Sequence, residues 1–221
     1  VIRDLVFLLI GLTLLWLPRS WLRLGRPEGS GRRKKTKTSG GANRDRLPGD
    51  YSVWAGEEFA RRRNWIDLLR ALAGGYAVMA TVPTLVHTIV AVPEMPLGNV
   101  ILGTQAVILF AAVLIQMVRV EEKFTLSPPL FFILGLAFPI VGVKAALIGF
   151  FAIWAINVVL PNPAIFLAAY GGGIAILAVF LGAGPRAGAL MAGLALFPPV
   201  MAVLFRRRLA QYRKRTKIVV R

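Results

Sequence analysis

The sequence contains no cysteine, which excludes disulfides, thiolate nucleophiles, iron–sulfur clusters and cysteine-ligated zinc together. It contains one histidine, His87, too few for a multi-histidine metal or haem site within one chain. Acids are scarce, 10 against 27 Lys and Arg, and none lies in the middle of an apolar run. Proton- and sodium-coupled carriers normally hold a titratable carboxylate at depth, and magnesium-dependent lipid chemistry needs clustered carboxylates, so both are disfavoured. No cofactor is implied by what remains.

Apolar residues make up 57% of the 221 positions, and the formal charge is +17. One soluble core buries only part of its chain, so this much apolar surface points to lipid as the surrounding solvent. The basic residues are segregated. Thirteen lie between Arg19 and Arg63 and eight between Arg206 and Arg221, leaving six elsewhere. An apolar body is bracketed by two basic segments.

A spanning helix takes roughly 20 apolar residues. The first candidate, Leu5 to Leu17, is short and follows Arg3 and Asp4; Trp16, Trp21 and Leu24 extend it to the interface. Residues 1–24 are therefore expected to be a membrane anchor or an interfacial helix. A secretory signal is the competing reading, but Pro18-Arg19-Ser20-Trp21 reads as a stop-transfer flank without a small-x-small cleavage site. Residues 25–65 form a basic linker, rich in Gly, Ser, Lys and Arg up to Asp50. Within it, Trp54, Phe59 and Trp65 punctuate Glu57, Glu58 and Arg61-Arg62-Arg63. That pattern suits an interfacial helix over 51–65, with a solvated loop as the alternative.

Residues 66–205 are expected to form an all-α transmembrane bundle. The spans fall at about 66–92, 99–118, 128–142, 145–160, 163–181 and 187–205, followed by a basic tail at 206–221. The stretch from Pro128 to Leu160 decides the topology, because it fits either one long helix or two short ones joined near Gly142-Val143-Lys144. A single helix puts Arg206-Arg207-Arg208 on the face opposite the linker. The positive-inside rule selects the hairpin, which returns both basic segments to the cytoplasmic side. This gives six or seven spans in what is expected to be a bacterial inner membrane. Gly142-Val143-Lys144-Ala145 is echoed by Gly184-Pro185-Arg186-Ala187, and residues 135–139 are echoed by 193–198. The two echoes have different offsets, so a duplicated hairpin is only outlined.

Candidate functional residues are few. Asp67, Arg70, Glu94, Lys144 and Arg186 fall near expected ends or turns. His87 is either a satisfied polar residue near the outer interface or a functional one: a proton relay, a pH sensor, or an axial ligand to a pigment or haem supplied by a larger assembly. Gly171-Gly172-Gly173 either packs against another helix or unwinds to line a substrate path. Lys144 and Arg186 at the outer turns are the other candidate members of such a path, which would favour an anion. Polar groups within the spans are sparse: Thr81, Thr84, Gln105, Gln116, Asn157 and Tyr170.

The strongest signal is electrostatic. Arg32, Arg33, Lys34, Lys35, Lys37, Arg61, Arg62, Arg63, Arg206, Arg207 and Arg208 are juxtamembrane cations suited to anionic headgroups or an acidic partner. Topogenesis is the plainer role for the same charges. Nucleic acid fits poorly, since no aromatic residue interleaves with the basic run for base stacking. Three functions follow in order of expectation. The first is a non-catalytic accessory or scaffolding subunit, assembled with other membrane subunits or its own copies. The second is a passive transporter, channel or lipid-translocating protein for an anion. The third is a membrane enzyme, for which no nucleophile–base pair is legible.

Overall fold

The computed structural model describes residues 2–18, 53, 55–89, 96–120, 124–160, 162–206 and 209. In chain order its elements are α1 (Ile2–Trp16), α2 (Ala55–Ala60), α3 (Arg62–Ile89), α4 (Leu97–Met117), β1 (Val118–Val120), β2 (Phe124–Leu126), α5 (Leu130–Ile156), α6 (Pro163–Phe180) and α7 (Pro185–Leu204). The helices start where local chemistry favours it. The Asn162 side chain caps α6 by accepting from the Ile165 N–H at 2.9 Å, and Pro163 and Pro185 occupy first-turn positions that need no amide donor.

Helix α5 is a hairpin. Phe131 and Trp154 would lie about 35 Å apart in a straight helix at 1.5 Å per residue, yet their ring centroids are 5.6 Å apart. The chain reverses at Gly142, whose φ of 82° and ψ of 160° are closed to residues with a side chain. The arms, residues 130–141 and 143–156, are about 18 and 21 Å long. They are shorter than the spans of 128–142 and 145–160 read from the sequence.

The first arm is the centre of the molecule, with every residue from Leu130 to Ala137 buried. A helix apolar on all sides needs neighbours on all sides. Helix α3 packs against it so closely that a Cβ on Gly135 would collide with the Leu68 carbonyl, and Gly75 meets Pro139. On its other side α3 crosses α1, where Gly11 lies against Gly74 and Ala77. Because Leu15 also meets Gly74, and Arg70 reaches Leu17, α1 runs antiparallel along α3. Small residues permit these approaches, and dispersion rewards them in an apolar surrounding.

Two features depart from the sequence reading. The expected interfacial helix over 51–65 is divided: α2 ends at Ala60, Arg61 is non-helical, and Arg62 begins α3. Side chains take over at the break, where the Glu58 carboxylate accepts from Arg61 at 2.6 Å and from Asn64 Nδ2 at 2.6 Å. The second is a short two-stranded ribbon after α4, which the sequence reading did not include. β1 and β2 pair antiparallel with Val118 opposite Leu126, and the Ser127 N–H donates to the Met117 carbonyl at 3.0 Å.

Candidate functional site

Every described attachment of the basic segments lies at one end of the bundle. The first is the carboxyl end of α1, from which residues 19–52 depart. Its last carbonyls are capped from two other helices. Arg70 Nη1 donates to Leu17 O at 2.8 Å, and Gln116 Nε2 donates to Leu15 O and Leu17 O at 2.9 Å each. A guanidinium there also complements the negative end of the helix dipole. Arg70 Nε lies 3.2 Å from Asp67 Oδ1, with the two side chains 5% and 1% exposed, and its guanidinium sits 5.5 Å from the Phe132 ring centroid. Both residues were legible only as polar groups near a helix end, and the structure makes them a buried pair. Their three-residue spacing on a helix was the available signal.

The second attachment is the segment entering α3. Asn157 Nδ2 donates to Val53 O at 2.7 Å, and Trp65 Nε1 donates to Phe59 O at 2.9 Å. Phe59 inserts among the rings of Trp65, Phe131, Phe150 and Trp154, with centroids 4.9 to 5.9 Å away. Arg61 faces Glu58, while Arg62 and Arg63 are exposed on the first turn of α3. The third attachment is the end of α7, where Arg206 is exposed and Leu209 packs with Met117, Leu126 and Ala202. Arg32, Arg33, Lys34, Lys35, Lys37, Arg207 and Arg208 lie outside the described residues.

The opposite end carries the remaining candidates. His87 is exposed in the last turn of α3, and Lys144 is exposed just past the reversal at Gly142. Arg186 is exposed at the start of α7 and reaches alongside Gly98. Helix α6 is continuous through the glycine triplet, with Gly171 packed on Ala192 and Ala195 while Gly172 and Gly173 face outward into open space. The triplet is thus split between packing and surface.

Apart from the Arg70, Asp67 and Gln116 group, polar side chains within the bundle do not converge among the described residues. Thr81, Thr84, Thr88 and Thr104 each bond a carbonyl of their own helix three or four residues back. Gln105 reaches Met79 O across to α3 at 3.5 Å, at the limit of a hydrogen bond. Trp154 Nε1, Asn157 Oδ1 and the Tyr170 hydroxyl are buried without a hydrogen-bond partner among the described residues. Among those residues no three His, Asp or Glu side chains gather as metal ligands would.

Among the described residues five helical segments, α3 to α7, are by length and composition long and apolar enough to cross a membrane, α5 being counted end to end through its reversal, and they mark the chain as a helical membrane protein. Comparison with protein-family models, with curated proteins and with solved structures yields no match.

Proposed function

We propose that this chain is a non-catalytic integral membrane protein, an accessory or scaffolding subunit held to anionic headgroups by its basic segments. The observation that carries this reading is the gathering of linker and tail attachments at one end, built on a bundle whose centre is packed with aromatic and small residues. In the proposed topology α1, α3, α4, α6 and α7 cross the bilayer. The α5 hairpin enters from the basic end and returns to it, with its reversal at Gly142 toward the end that carries His87 and residues 182–184. The basic end then faces the cytoplasm of a bacterial inner membrane, where cations near anionic lipid contribute about 1 kcal/mol each.

The test is purification of the full chain in mild detergent. Stoichiometric membrane subunits or a defined homo-oligomer should accompany it, together with retained anionic lipid. A lone monomer stripped of anionic lipid contradicts the proposal.

One observation favours a second reading, a passive path for an anion. Gly142 and Gly184 share nearly the same backbone angles, 82° and 160° against 88° and 165°, and each is followed two residues later by a cation. Anion flux into liposomes that is abolished by Lys144→Ala and Arg186→Ala, with folding intact, would put transport in place of scaffolding.

A further inference from the structure

We infer that Val53 and residues 55–60 form a latch that closes the wide end of the α5 hairpin, with Phe59 as its bolt. The two arms of α5 meet at Phe131, Phe150 and Trp154, and Phe59 closes the space between them with edge-to-face contacts to all three rings. Beside these rings the segment is held by Val53, buried in the core, and by polar ties: Asn157 to Val53 O, Trp65 to Phe59 O, and Asn64 to the Glu58 carboxylate and carbonyl. These ties lie at the end of the bundle where linker and tail attach, and Val53, Glu58, Asn64 and Asn157 are all buried there. A six-residue helix has too few internal hydrogen bonds to persist by itself, so its closure depends on the bolt and the ties.

What lies beneath the latch is chemically unbalanced. Trp154 Nε1 is a donor and Asn157 Oδ1 an acceptor, both buried and without a hydrogen-bond partner among the described residues, on side chains that touch Phe59 and Val53 of the segment. A buried polar atom left unpaired forfeits its hydration with nothing in return. Withdrawing Phe59 exposes both atoms to water or to a ligand bearing polar groups, which repays part of the lost ring contact. The closed and open forms are thereby brought near in energy. The open form presents a donor and an acceptor one helical turn apart, beside the apolar walls of the hairpin.

The test is deuterium exchange at the Trp154 indole N–H, followed by NMR on the full chain in micelles and assigned with Trp154→Phe. In the native protein this proton should exchange faster than the backbone amides of residues 130–137 and slower than the indole of the half-exposed Trp16. Phe59→Ala removes the bolt, and Glu58→Ala removes the carboxylate that ties Asn64 and Arg61. Each should accelerate Trp154 exchange tenfold or more while the amides of 130–137 are unchanged. Should Phe59→Ala lose those amides through unfolding, Glu58→Ala still supplies the reading. Exchange as slow as the core amides in native and variant proteins alike would overturn the latch. Native exchange as fast as that of Trp16 would overturn it too.

Discussion

Two glycines set the course of the chain. Gly142 and Gly184 each hold a positive φ with an extended ψ, a region in which a Cβ strikes the backbone, and each turns one helix back against the one before it. Gly142→Ala should therefore destabilise the bundle by about 1–3 kcal/mol, whereas Gly172→Ala, facing open space on α6, should change it by less than about 0.5 kcal/mol. Unfolding of purified variants in mixed micelles of rising SDS content measures both. The likeness of residues 142–145 to 184–187 was legible in sequence, and the matching backbone angles give it a physical meaning. The second likeness has none. Gly135 is wedged against the Leu68 carbonyl, while its counterpart Gly193 touches the ring of Phe110, so a shared letter covers two different environments.

At the scale of elements, the apolar runs of α4, α6 and α7 were legible to within about two residues because hydrocarbon and turn residues bound them on both sides. Helix α5 was legible as a hairpin from charge alone, since only a reversal returned both basic segments to one face. Its arm lengths were not, because Pro128, Pro129 and Val158-Val159-Leu160 continue the apolar run yet lie outside the helix. The division between α2 and α3 was hidden for another reason. Glu58, Arg61 and Asn64 stand at ordinary helical spacing, and only the seating of Phe59 between the arms of α5 turns the chain there. The hairpin makes a direct prediction. Cysteines at Phe131 and Trp154 should be joined within one molecule by a short bifunctional maleimide, seen as a mobility shift that dilution does not alter. A straight helix would hold them about 35 Å apart and give no such product.

At the scale of the molecule, the attachments are sorted by end. Leu17, Val53, the β1–β2 ribbon, Asn157 and Leu209 lie at one end, and His87, Gly142 and residues 182–184 at the other. The sequence showed this sorting only as an argument from charge, and could not show that Arg70, Gln116 and Asn157 would be the side chains that anchor the basic segments. Those contacts join residues 53 to 104 positions apart, beyond the reach of any local pattern.

The absence of native cysteine allows this arrangement to be tested with single probes. Thr36→Cys in the linker, Thr216→Cys in the tail and Leu181→Cys at the far turn are to be labelled by a membrane-impermeant maleimide in sealed vesicles of known orientation. Linker and tail should react from the same face, and residue 181 only from the other. Reaction of positions 36 and 216 from opposite faces would contradict the account.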